Sequence, residues 1–141
     1  MGRKGTGRIV VEHPNAALMR KVDELLGAGD FAGFLALHTE DAIMHVPGNG
    51  PLSGDYRGRD GIAGAFQKEM SFLDAPPQFD CHDILGSDEH AVELVTQRLQ
   101  RGGRTLEGRQ TIVAHVRDGM LSEVWFQPED QAAFDEFFAS P

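Results

Sequence analysis

Six histidines stand at positions 13, 38, 45, 82, 90 and 115, and no two have a spacing that would bring both imidazoles onto one metal ion. The only cysteine, Cys81, is followed by His82 and Asp83, but adjacent residues of an extended strand point to opposite faces, so this triplet is not a ligand set. The chain contains no P-loop, GxGxxG turn, HExxH helix, CxxC pair or GxSxG elbow. Nucleotide, zinc and serine-hydrolase chemistry therefore lack support, and neither a metal nor a cofactor is expected. Acid/base work or plain binding by isolated polar side chains remains.

Strand periodicity selects those side chains. Across 105–117, Leu106, Gly108, Gln110, Ile112, Ala114 and Val116 share one face, which marks it as inward and makes Gln110 a polar group among apolar neighbours. In 42–46, Ala42, Met44 and Val46 form the apolar face and His45 lies on the other. His45 then faces either a partner subunit or second layer, or a ligand. For 90–101 the set Val92, Leu94, Thr96 and Arg98 is taken as inward because it hides Glu93 least. An inward Arg98 would bind an oxyanion, whereas an outward one is an ordinary ion-pair partner. The stretch 120–127 stays open between Ser122, Val124 and Phe126 and the set Glu123, Trp125 and Gln127.

The elements that must hold these groups follow from the same patterns. A helix begins at His13-Pro14-Asn15, with Asn15 as its expected N-cap and Leu18, Val22, Leu25 and Leu26 on one face, and stops at Gly27 and Gly29. Asp30 caps a second helix carrying Phe31, Phe34, Leu35 and Leu37, expected to end near Thr39-Glu40-Asp41. A strand at 42–46 leads into residues 47–58, so rich in glycine and proline that a loop is expected. Tyr56 in that loop either gates a pocket mouth or anchors the loop. A third helix starts at Arg59-Asp60 with Ile62, Phe66 and Met70 on one stripe. Met44, Phe66, Met70 and Phe126 line a pocket or fill the core.

Four strands are expected at 78–86, 90–101, 104–117 and 120–127, separated by hairpin signals, and a last helix opens at Pro128-Glu129-Asp130 and presents Ala133, Phe134, Phe137 and Phe138. Turns that short cannot carry parallel crossovers. The expected fold is α+β: one curved antiparallel sheet with helices in its concavity and a space between the two layers.

At 141 residues and 15.4 kDa the chain makes one domain, expected at 13–141, after a flexible tail at 1–12. Thirteen Lys and Arg against 22 Asp and Glu, net −9 with a pI near 5.0, argue against a nucleic-acid partner. No apolar run approaches the roughly 20 residues that cross a bilayer. One cysteine and no apolar run near the start point to the cytoplasm.

Several segments together resemble the SnoaL-like, polyketide cyclase-like branch of the nuclear transport factor 2-like superfamily, which includes ketosteroid isomerase. They are His13-Pro14-Asn15, Gly29-Asp30-Phe31, the stretch from Glu40 to Gly48, Tyr56-Arg57-Gly58-Arg59-Asp60, and the stretch from Arg117 to Trp125. The resemblance implies a cone of curved sheet closed by helices, a cystatin-like α+β roll, around a deep apolar pocket for a small hydrophobic ligand. It also implies a homodimer paired through the sheet's outer face.

It further allows a test of mechanism. The isomerase's general base matches Val46, and its oxyanion-hole residues match Val22 and Ala114; the water-holding and acidic residues of limonene epoxide hydrolase match Met44, Val46 and Phe126. None of these can move a proton. The cyclases' acid/base aspartate, a few residues after a tryptophan on the last strand, matches Asp130 after Trp125, while their His-Trp pair is Val124-Trp125 here. Asp130 also stands where a helix N-cap is needed. The resemblance thus implies a cofactor-independent cyclase or isomerase led by Asp130, with His45, Gln110 or Arg98 assisting. The alternative is a non-catalytic binding module.

Overall fold

A computed structural model describes residues 11–139. In chain order the elements are α1 (Pro14–Gly27), α2 (Phe31–Ala36), β1 (His38–Val46), β2 (Gly54–Arg57), α3 (Gly58–Phe72), β3 (Gln78–Gly86), β4 (His90–Arg101), β5 (Arg104–Arg117), β6 (Met120–Pro128) and α4 (Gln131–Ala139). The expected tail at 1–12 falls outside the described residues except for Val11 and Glu12, both exposed.

The six strands form one sheet in the order β2-β1-β6-β5-β4-β3, an α+β arrangement. Neighbours are antiparallel except β1 and β6, which run parallel with Met44 opposite Val124 and His45 opposite Trp125. The sheet is therefore mixed, not wholly antiparallel as expected. Short turns exclude crossovers only between consecutive strands, and the chain between β1 and β6 is long enough for one.

The hairpin turns follow their residues. Gly102 and Gly103 (φ 58° and 75°) join β4 to β5, and Asp118 and Gly119 (φ 53° and 73°) join β5 to β6. Consecutive left-handed residues match the twist of the strands they connect. Register shifts at Cys81/Asp83 and His115/Val116 interrupt the ladders, and such irregularities bend a sheet.

Local differences from expectation have local causes. His13, not Asn15, caps α1, its Nδ1 accepting from the Asn15 backbone N–H at 3.1 Å. The Asn15 side chain instead donates to the carbonyls of Ser87 (2.7 Å) and Asp88 (3.2 Å), fastening α1 to the β3–β4 turn. Asp30 does cap α2, accepting from the Gly33 N–H at 2.9 Å. That helix stops at Ala36 and β1 begins at His38, so Thr39, Glu40 and Asp41 are strand residues. The expected loop at 47–58 contains β2, which adds an edge strand to β1 despite its glycines.

Two apolar clusters result. In one, Met19, Val22, Phe34 and Ile62 of the helices pack on Ala42, Met44, Ala91, Ala114, Leu121 and Val124 of the sheet. In the other, Phe134, Phe137 and Phe138 of α4 pack on Leu52 and Leu99. Arg101 and Arg104 donate to the Phe137 carbonyl at 2.8 and 3.2 Å and satisfy the end of α4.

Candidate functional site

Between the sheet and α3 lies an open pocket whose empty space, solvent at its mouth included, is about 560 Å³. Met44 and Val46 of β1, Tyr56 of β2, and Ala65, Phe66 and Glu69 of α3 form part of its wall. Phe79, Gln97, Gln110, Phe126 and Pro128 of β3–β6 and Phe134 of α4 complete it with Pro47 and Leu52. The wall is mostly apolar and rich in rings.

Four polar side chains interrupt it. Gln97 and Gln110, 4% and 6% exposed, approach each other from β4 and β5, the Gln97 Nε2 donating to the Gln110 Oε1 at 3.4 Å. That bond is long, and the Gln110 amide N–H groups and the Gln97 carbonyl have no other hydrogen-bond partner among the described residues. The third is Glu69, whose carboxyl is pushed up to about 7 by loss of solvent. Tyr56 is already committed, since its hydroxyl donates to the Leu52 carbonyl at 2.7 Å and anchors the 47–53 loop. Burial raises the Tyr56 pKa, so it stays protonated.

Several sequence candidates thus meet here: Met44, Val46, Tyr56, Phe66, Gln110 and Phe126. Others do not. Met70 is 41% exposed and Glu69 takes its place, because two helical turns advance 7.2 residues and a stripe through Ile62 reaches residue 69 before residue 70. Arg98 points outward, loosely paired with Glu107 at 3.7 Å, because β4 buries Ala91, Glu93, Val95, Gln97 and Leu99. Ala114 is fully buried in the core beside the cavity rather than in its wall.

The choice of β4 face turns on Glu93. It is 3% exposed, and its carboxyl meets that of Asp23 on α1, with Cys81 of β3 alongside; ligand-type atoms of the three lie within 4.8 Å of one another. Desolvation first, and the Asp23 carboxylate second, raise the Glu93 pKa, so it keeps its proton at neutral pH and hydrogen-bonds to Asp23. A protonated carboxyl can be hidden where a charged one cannot. The Cys81 thiol is pushed up to about 11 by loss of solvent and then by Glu93, which leaves no thiolate nucleophile at neutral pH.

His45 and Trp125 lie on the outer face of the sheet, away from the cavity. The imidazole is held by Asp55 (Nδ1 to Oδ1, 2.6 Å) and Glu123 (Nε2 to Oε2, 2.5 Å) and stacks on Trp125 with centroids 5.5 Å apart. Partial burial works against its charge, but the hydrogen bonds to Asp55 and Glu123 outweigh it and raise the pKa. Asp130 is also outside the cavity: exposed, its Oδ1 accepts from the Ala133 N–H at 3.0 Å and caps α4. Neither residue expected to move protons reaches the cavity.

Sequence reasoning missed Glu69 and Gln97. The helical period, applied strictly from Ile62, was the signal for Glu69. For Gln97 there was none short of knowing how Glu93 is accommodated.

The model for the SnoaL-like domain matches residues 19–124. The uncharacterized protein Rv0034 of Mycobacterium tuberculosis is 25% identical over 123 residues, 86% of this chain and 94% of that protein. Among solved structures, Bal32a from a soil-derived mobile gene cassette is similar at a TM-score of 0.83 and 25% identity, over 89% of this chain and 96% of that one. TerC, co-crystallized with polyporic acid, is similar at a TM-score of 0.80 and 20% identity, over 91% of this chain and all (100%) of that one. A helix-closed sheet of this order, with a cavity between its layers and a family model spanning most of the chain, makes this protein a member of the SnoaL-like domain family.

Proposed function

We propose that this protein is a binding module that holds a compact, mostly apolar small molecule in the cavity between the sheet and α3. One observation carries this reading: the wall offers rings and aliphatic groups with the Gln97–Gln110 amides in their midst, and no Ser, Cys, Lys or His among the described residues lines it. Apolar burial supplies affinity, and the amides orient one polar atom of the ligand. A thermal-shift screen with aromatic polyketides, steroids and terpenoids tests it, because a molecule bound only by the folded state raises Tm by mass action. Ala65→Phe, which fills the cavity, should abolish the shift; a shift that survives would place the ligand elsewhere.

A cofactor-independent cyclase or isomerase is the second reading, and Glu69 is the observation that favours it. With a carboxyl near neutrality inside the cavity, it is the group able to take and return a proton there. Turnover of a hydrophobic substrate that is lost in Glu69→Gln and kept in Asp130→Asn would decide for this reading.

Residence in the cytoplasm and homodimerisation belong to the same proposal. On the outer face Val92, Val113, Trp125 and His45 stand in one cross-strand row, apolar for three of its four members and half-buried for the three. Sedimentation of wild type and Val113→Lys tests the dimer, which the lysine should dissociate. No described helix is long and apolar enough to cross a membrane.

A further inference from the structure

Glu69 poses a problem that the rest of the cavity does not solve. Its carboxyl borders an apolar cavity, and among the described residues no hydrogen-bond donor or cation reaches it. The buried carboxyl of Glu93 has an answer within the chain, Asp23. Arg59, on the same helix, is spent on the His38 carbonyl at 2.7 and 3.0 Å, and Lys68 is exposed. Tyr56, the other titratable group of the wall, donates to Leu52. His38, beneath α2, bonds the Phe34 carbonyl and is held neutral by burial. A lone carboxyl in such a place loses hydration and gains no partner.

The remainder of the wall has the character of a cation site. Tyr56, Phe66, Phe79, Phe126 and Phe134 all border the same space, and aromatic faces attract ammonium groups. The chain carries net −9, so its field draws cations and repels anions.

We infer that the molecule this cavity takes is a compact hydrophobic amine, its ammonium paired with Glu69, its apolar body among the rings and any second polar atom on the Gln97–Gln110 amides. This deepens the binding reading above and rests on it. The ligand supplies the missing positive partner, and the pair forms where water is scarce and each hydrogen bond to a charge is strong. A neutral isostere would gain only the apolar contact. An acid would add a second negative group beside the first.

The test compares three probes of one shape: 2-phenylethylamine, 2-phenylethanol and 3-phenylpropanoate, titrated calorimetrically into the full chain at low salt. At pH 8 the amine should bind about tenfold or more tighter than the alcohol, and the acid more weakly than both. Between pH 8 and pH 6 the amine should lose affinity as Glu69 takes up a proton, while the alcohol, uncharged throughout, reports any general effect of pH. In Glu69→Gln the amine-to-alcohol ratio should collapse to within about twofold, and Glu69→Asp should restore part of it. An alcohol that binds as well as the amine, or a ratio unchanged in Glu69→Gln, overturns the amine inference and leaves the cavity reading standing. If none of the probes binds and the wider thermal-shift screen of neutral hydrophobes is also silent, the cavity reading falls and the inference with it.

Discussion

Glu93 on β4 and Asp23 on α1 hold one proton between them, and that shared proton lets a strand bury a carboxyl side chain at 3% exposure. Both pKa values are raised, by desolvation in the first place. A carboxyl whose folded pKa exceeds its unfolded value stabilises the fold most below the unfolded value, and that contribution is lost as pH rises through the folded one. Thermal unfolding should therefore show Tm falling between about pH 5 and pH 9, with Glu69 acting in the same direction. Glu93→Gln keeps a donor toward Asp23 without a titrating proton and should flatten the fall. A profile as steep in Glu93→Gln as in wild type would exclude the pair as its source.

The His45 cluster acts on stability in the same sense. The imidazole's raised pKa means that its charged form is favoured by folding, a contribution present below the ordinary histidine range and lost as pH rises through the raised value. Imidazole NMR should find His45 titrating above a free histidine. Glu123→Gln should move it back toward the free value, since the Glu123 Oε2 stands 2.5 Å from Nε2.

Asp130 should behave as a cap. Asp130→Ala removes the acceptor for the Ala133 N–H and should cost about 1 kcal/mol in urea unfolding. The thermal-shift response to a cavity ligand should be retained. Lost response at unchanged stability would return Asp130 to the site.

Gly86 ends β3 directly beneath the start of α1. A Cβ built there would lie 2.7 Å from the Ala16 backbone nitrogen and 3.2 Å from the Cβ atoms of Ala16 and His13. Backbone cannot yield as a flexible side chain does, so Gly86→Ala should destabilise by roughly 1–3 kcal/mol in denaturant unfolding. Gly64, around which nothing lies within 4 Å, is the control: Gly64→Ala should stabilise α3 by up to about 1 kcal/mol.

The legibility of the site divided along physical lines. On β5 and β1 the inward faces follow from alternation, and Gln110, Met44 and Val46 were found because each sits among apolar neighbours at period two. On β4 both alternating sets contain apolar and polar members, and the rule that a charge avoids burial picked Arg98 over Gln97. The rule fails where the carboxyl is not charged. On α3 the apolar stripe runs through Ile62, Phe66 and Met70, and a glutamate gives no apolar signal, although the helical angle from Ile62 favours Glu69.

What the chain's own order of residues determined was local: the helices from their caps and stripes, the hairpins from Gly102-Gly103 and Asp118-Gly119, and the strands from alternation. Such signals are complete within a few neighbouring residues. Tertiary structure alone decided the parallel pairing of β1 with β6, the proton that Asp23 accepts from Glu93, the outward turn of Trp125, and the entry of Glu69 into the cavity. Each of these depends on how groups far apart in the chain are desolvated and brought into contact, and local patterning carries no record of that.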